Sequence, residues 1–421
     1  MLNFYGFAGQ FPAIGWWRQK RFGLILDEVP FITLLLITSL IYIEGVPGFR
    51  WLVWGARALL GCGLLIWFFK TRRQLNVTVN IPLLFWAFVA YSVSSAFWAV
   101  SHEPILAISS DLLTLCLFFF MAMNVVNTQL RLQQLLALVN TITFIFAVIA
   151  IVKAGLGVQR PGVFPTQDPN VLGFYFLFAI GLQLSLIMAG WRCRYFWPNL
   201  LMMLTNLLGL MMTQSRGDFI GFVVMFGVLF LFGSVSKRWL IFTVLAFGMF
   251  FLFPPGAALW ERFTSLAFDH GSKRLDIWLL AWQMIKDHLW FGVGLSNFPV
   301  LIGSYRSAAN STVIVNPGTG VHNSIFGVWS ELGLVGLGFF LFLLGTAINH
   351  GRKLLQRFTV NSDEYLTAKG LMVATIGMFT ASLFLGAYFR KYFWLPFVLM
   401  ETLYYFRYNS QDQSVEMETE R

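Results

Sequence analysis

A histidine opens an otherwise apolar stretch at His322, in HNSIFGVWSELGLVGLGFFL, and arginines stand at Arg216 in TQSRGDFIG and at Arg274 in SKRLDIWLLAWQMIKDHLWFG. Arginine presents a planar fork of donors that fits phosphate oxygens, and it keeps its charge. Histidine accepts or donates a proton near neutral pH with little perturbation. Together they suit an anionic phosphate leaving group and a nucleophile that must lose a proton, a description that a sugar carried on a diphosphate meets. Lys153 and Arg160 flank the Gly- and Pro-rich turns of KAGLGVQRPGVFPTQDPNVLGFY, and Arg390-Lys391 and Asn323 complete the candidate set. Each has a plainer reading. His322 can cap a helix, Arg216 can pair with Asp218, Asp168-Pro169-Asn170 reads as a helix cap, and Arg390-Lys391 can reach for lipid headgroups. The carboxylates Asp168, Asp218, Asp269, Asp276 and Asp287 are scattered, with no D-x-D pair and no histidine cluster of ligand spacing, so no metal or other cofactor is expected.

These residues must be placed by a membrane fold. The 421 residues are 57% hydrophobic and only 11% charged, against about 25% charged in soluble domains. A spanning helix needs about 20 mostly apolar residues, and about twelve stretches qualify. They lie near 29–43, 52–69, 81–99, 105–125, 132–152, 171–190, 196–213, 217–233, 239–253, 324–348, 367–387 and 391–407. The expected fold is therefore all-α and integral to a membrane. Residues 1–253 hold spans one to nine, 254–323 form a large loop, 324–407 hold the last three spans, and 408–421 form a tail.

With both termini in the cytoplasm, the inner loops collect most of the basic residues: Arg18, Lys20, Arg21, Lys70, Arg72, Arg73, Arg131, Arg192, Arg194, Lys237, Arg238, Arg352, Lys353 and Arg357. The short outer loops keep Arg50, Lys153, Arg160, Arg216, Arg390 and Lys391. That asymmetry satisfies the positive-inside rule and makes the outer cations conspicuous. The net charge of +10 is then mainly a topology signal, and nucleic acid is not an expected partner. The N-terminal 23 residues lack the pattern of a removable signal peptide and read as a segment on the membrane surface. Cys62, Cys116 and Cys193 have no disulfide or metal spacing.

The loop 254–323 opens on the breaker Pro254-Pro255-Gly256 and contains one clear amphipathic helix, in which Ile277, Trp278, Leu280, Ala281, Met284, Ile285 and Leu289 recur at helical spacing. Its start carries Arg274. Gly292 and Gly294 form a faint fragment of a nucleotide loop without a surrounding βαβ unit, and 303–321 reads as a polar loop. Gly327, Gly333, Gly336 and Gly338 read as close-packing positions in the tenth span.

His322-Asn323, followed at fixed distance by Gly333 and Gly336, resembles the histidine motif of bacterial O-antigen ligases; TQSRG, PGVFPTQDPNVLG and RLDIWLLAWQMIKDHLWFGVGLSNF also look like the O-antigen ligase and polymerase superfamily. The resemblance covers roughly residues 155–340. It implies a metal-independent, GT-C type glycosyltransferase of the bacterial inner membrane with its active site on the periplasmic face. Its donor would be an undecaprenyl-diphosphate-linked glycan. Its acceptor would be lipid A-core in a ligase, or a second lipid-linked repeat unit in a polymerase of O-antigen or exopolysaccharide. Arg216 and Arg274 match the arginines that hold the diphosphate, and His322 the histidine near the reacting hydroxyl. A polytopic transporter or lipid-linked glycan flippase also suits twelve spans, and a charge such as Arg57 would then mark a pathway; but no repeat between the halves and no matched pair of broken helices is visible.

Overall fold

The computed structural model describes residues 22–42, 81–163, 167–188, 196–231, 254–264, 274–308 and 318–419, with isolated positions between 55 and 65. The described residues are helical throughout, joined by turns. Long apolar runs leave no water for backbone groups, and a helix satisfies them within one segment. In chain order the helices are α1 (Phe22–Ile41), α2 (Ile81–Ser94), α3 (Glu103–Val125), α4 (Gln129–Gly155), α5 (Pro169–Met188), α6 (Phe196–Met212), α7 (Arg216–Leu231), α8 (Pro254–Thr264), α9 (Arg274–Asp287), α10 (Phe298–Ala308), α11 (Ser324–Arg357), α12 (Asp363–Ser382) and α13 (Lys391–Thr419). Helices α3, α4, α5 and α11 are long and apolar enough to cross a membrane, and Glu28–Ile41, Leu83–Phe97 and Phe196–Met212 are shorter apolar stretches. The predicted span 239–253, most of 52–69, the N-terminal surface segment and Cys193 lie outside the described residues.

The bundle is built around α5, which is buried along almost its whole length and packs chiefly against α12 and α6. Small residues allow that approach: a Cβ on Gly181 would sit 2.8 Å from the Cβ of Ala374. Between α4, α5 and α6 an amide chain ties the helices, Asn206 Nδ2 donating to Gln183 Oε1 and Gln183 Nε2 to Asn140 Oδ1, both at 3.2 Å. Trp394 of α13 is fully buried in a ring cluster with Phe85, Phe340 and Phe397.

Several expectations are corrected. Pro254 and Pro255 do not merely break the chain; they occupy the first turn of α8, where the missing N–H groups cost nothing. Residues 303–308, expected in a polar loop, belong to α10. The segment 408–421 keeps its assignment as a tail, with α13 running on through it as far as Thr419. The amphipathic helix is present as α9, burying Ile277, Leu280, Ala281, Met284 and Ile285.

The largest correction concerns the glycines around α11. Gly333 is not a packing glycine in a continuous helix: its φ of 66° and ψ of −168° break α11 after the segment Ser324–Leu332, about two and a half turns. The break strands backbone groups, and the chain from 288 to 297 supplies the partners. Val293 N–H donates to Ser330 O at 2.9 Å and Gly294 N–H to Glu331 O at 2.8 Å. In the other direction Leu334 N–H donates to Leu289 O at 2.9 Å, and Tyr91 Oη donates to Leu332 O at 2.8 Å. The GVG sequence is thus a backbone clasp on a broken helix rather than a nucleotide loop. Asn297 fastens the clasp's far side, accepting from Ser101 N–H at 2.8 Å and donating to Ser101 O at 3.0 Å.

A side chain at 333 would need a conformation that essentially only glycine adopts, and its Cβ would lie 2.2 Å from the Trp290 carbonyl carbon. Gly333→Ala is expected to lower the thermal midpoint of detergent-purified protein by several degrees, from strain of about 1–3 kcal/mol plus the clash. Gly338→Ala, where a Cβ meets nothing within 4 Å, should leave the midpoint at or above the parent value. Equal midpoints for the two variants would mean that the break is dispensable.

Candidate functional site

At one end of the bundle the first turns of α5, α7, α9 and α11 converge, and each brings a chargeable residue. Asp168 caps α5, accepting from Asn170 N–H at 2.8 Å, with Pro169 in the first turn. Arg216 opens α7 and is only 6% exposed. Arg274 opens α9, and His322 precedes α11. His322 is not itself the cap. That task falls to Asn323, whose Oδ1 accepts from Phe326 N–H at 3.0 Å, so at least that oxygen is engaged within the protein. His322 adopts φ 52°, a left-handed backbone that is costly away from glycine and frequent at functional turns.

Arg216 and Arg274 line one cavity of about 240 Å³, together with Ile220, Phe263, Leu275, Trp278 and Phe384. Its walls are largely apolar while its charged groups are two arginines. Trp278 closes the side nearest His322: its indole N–H donates to Val321 O at 3.1 Å and its ring packs on Phe326 and Phe384. Trp278 sits one helical turn beyond Arg274, so the same helix supplies a cation to the cavity and a brace to the histidine's backbone.

Arg216 is aimed by α8. Its Nη1 donates to Arg262 O at 2.7 Å, and Arg262 Nη1 returns a bond to Gln214 O at 2.6 Å. This reciprocal exchange was not foreseeable, because Arg262 belongs to a short helix with no motif around it. Arg160 reaches the same turn, donating from Nε to Thr213 O and from Nη2 to Asn170 Oδ1, each at 3.3 Å. Lys153 is one step removed: its ammonium donates to Gly162 O at 2.9 Å and steadies the turn that carries Arg160. Asp218 is buried, hydrogen-bonded to Ser215, with its Oδ2 lacking a hydrogen-bond partner among the described residues. Gly173 makes room for it, since a Cβ there would lie 2.4 Å from that oxygen.

The charges are coupled. Burial works against the charge on Arg274, as do Arg216 and Arg160, whereas Asp218 and Asp168 support it. Burial likewise opposes the charge on Arg160, Asp168 supports it and Arg216 opposes it. Three arginines against two carboxylates leave the cluster short of negative charge, which an anion entering the cavity would supply. His322 is held below its ordinary pKa, first by burial and then by Arg274, with Asp168 pulling the other way. Neutral imidazole, the form that can take up a proton, is thereby favoured.

Two candidates stand apart. Arg390 is exposed, its backbone N–H bonded to Ala387 O at 2.8 Å; its charge reaches Tyr388 and Tyr392, and Tyr392 in turn lies within range of Asp168 and Asp218. It does not line the cavity. Lys391 and Arg57 both bind Asp111 of α3, the lysine at 2.9 Å, so these cations share a structural carboxylate.

Residues 201–341 match the family model described as O-antigen ligase. The matched third of the chain includes Arg216, Arg262, Arg274 and His322 and excludes Lys153, Arg160 and Arg390. No curated protein matches the chain.

The depressed His322 pKa has a signed consequence. The folded protein keeps His322 neutral at a pH where the unfolded chain begins to protonate, so this group's contribution to stability is present above the unfolded value near 6.5 and is lost as pH falls below it. Asp168→Asn retains a cap acceptor but removes the charge that raises the histidine's pKa. An NMR titration of the imidazole should show His322 titrating at lower pH in Asp168→Asn than in the parent. An unchanged or higher midpoint would mean that the two groups are not coupled.

Proposed function

We propose that the chain is an O-antigen ligase, an inverting glycosyltransferase of the bacterial inner membrane that takes a glycan from undecaprenyl diphosphate and joins it to a hydroxyl of lipid A-core at the periplasmic face. The observation that carries the reading is the cavity in which Arg216 and Arg274 meet amid apolar and aromatic walls, next to the turn bearing His322. Two arginines suit a diphosphate, and Phe263, Trp278 and Phe384 suit the isoprenoid units attached to it.

In this reading the acceptor hydroxyl oxygen attacks the anomeric carbon from the face opposite the diphosphate. The carbon–oxygen bond to the diphosphate breaks, and its electron pair leaves with the phosphate. Arg216 and Arg274 neutralise the charge that grows there, the electrostatic stabilisation that commonly dominates catalysis. His322, kept neutral by burial and by Arg274, receives the hydroxyl proton. Arg160 adds positive potential from the α5–α7 side, with Lys153 bracing its turn, and Arg390 and Asn323 flank the acceptor's approach. The excess of basic residues in the inner loops supports an orientation with the 254–323 segment and the cavity outside.

The test uses purified protein with undecaprenyl-diphosphate oligosaccharide, with and without lipid A-core, with EDTA present, and the products resolved on a gel. A shifted core band supports the ligase; lengthening of the donor without core would make the protein a polymerase; and label accumulating in sealed vesicles without covalent transfer would make it a transporter. His322→Ala should reduce turnover by about 10²–10⁴-fold, and Arg216→Lys and Arg274→Lys should each reduce it by about 10²–10³-fold. Normal turnover by folded His322→Ala would contradict the proton-acceptor role.

A further inference from the structure

Glu331 takes no part in the charge cluster, yet it is only 2% exposed. Its carboxylate collects hydrogen bonds from separate parts of the chain. Ser296 N–H donates to Oε2 at 2.8 Å, Phe298 N–H donates to the carboxylate as well, and the third donor is the Tyr388 hydroxyl. Ser296 belongs to the connection that follows α9, the helix carrying Arg274, and Phe298 opens α10. The third belongs to the turn between α12 and α13, which supplies Phe384 to the cavity wall.

The backbone around Glu331 makes the same junction. Its carbonyl accepts from Gly294 N–H, and the neighbouring Ser330 carbonyl accepts from Val293 N–H. Towards His322, Ser324 Oγ donates to Leu385 O at 3.3 Å and accepts from Ala387 N–H at 3.2 Å. The Tyr388 ring lies on Gly327, where a Cβ would come within 2.4 Å of it. A buried carboxylate is costly unless its acceptors are filled, and removing it strands its donors. Such networks fix one arrangement of the elements they join.

We propose that Glu331 is a positioning residue, pinning the Arg274 helix and the 383–390 turn to the helix led by His322, so that diphosphate and acceptor are presented at a fixed separation. The proposal rests on the reading that Arg274 and His322 serve one transfer. A misplacement of about 1 Å can cost on the order of 10²-fold in rate while leaving binding contacts intact. Loss of the pin is therefore felt in kcat more than in the donor KM.

Three variants test it. Glu331→Leu removes every acceptor at similar volume, Glu331→Gln keeps one acceptor oxygen, and Tyr388→Phe deletes one hydroxyl while leaving the ring on Gly327. Turnover is measured with the gel assay. In parallel, spin labels at the exposed positions Lys286 of α9 and Asn361 of the α11–α12 turn, in a background lacking the native cysteines, report the distance between α9 and the bundle. Glu331→Leu should lower kcat by about tenfold or more, change donor KM by less than about threefold, and broaden the label distance. Glu331→Gln should recover most of both, and Tyr388→Phe should lower kcat by a smaller factor. Full kcat with an unbroadened distance in Glu331→Leu overturns the proposal, as does a loss confined to KM. If Glu331→Leu does not fold, unchanged kcat in Tyr388→Phe overturns it. If the parent protein transfers no glycan to any acceptor, the functional reading fails, and the label distance alone still decides the positioning role.

Discussion

A helix broken inside an apolar bundle must find partners for the backbone groups it exposes, because no water is there to take them. In this protein the break is at Gly333, and the partners come from the chain that follows α9. The site depends on that exchange. It joins the helix opened by Arg274 to the helix led by His322 through hydrogen bonds of 2.8 and 2.9 Å rather than through apolar contact alone. Apolar packing against lipid is permissive about sliding, whereas paired amides and carbonyls are not.

Around that junction the arginines are held by their own neighbours before any ligand arrives. Arg216 and Arg262 exchange carbonyl bonds, Arg160 binds Thr213 O, and Trp278 binds Val321 O. Fixed donors need little reorganisation when charge develops, and that is the condition for electrostatic stabilisation to act on a transition state. The net positive balance of the cluster and its apolar walls suit a substrate with an anionic head and a hydrocarbon body.

How much of this was legible in the sequence depends on which physical signal each element carries. Periodicity found α9, because burying Ile277, Leu280, Ala281, Met284 and Ile285 imposes helical spacing. Topology made Arg216 and Arg160 conspicuous, because cations outside the positive-inside pattern call for a reason. The histidine motif marked His322 by its place before an apolar run. Helices α8 and α10 were missed because the opening prolines of one read as a breaker and the polar end of the other read as a loop. The clasp was invisible, since it is made of backbone groups that no side-chain pattern records. Gly333 was noticed for the wrong reason: a glycine permitting close packing and a glycine required by φ 66° look alike in one sequence. Arg262, Glu331 and Tyr388 act through tertiary contacts between segments far apart in the chain.

The most direct test is a cryo-EM structure with undecaprenyl diphosphate bound. The account predicts density for the two phosphates between Arg216 and Arg274, the first isoprenoid units against Phe263, Trp278 and Phe384, and the open side of the diphosphate facing His322. Diphosphate density elsewhere, for instance at the Arg57–Asp111–Lys391 group, with the arginine cavity empty, would contradict it.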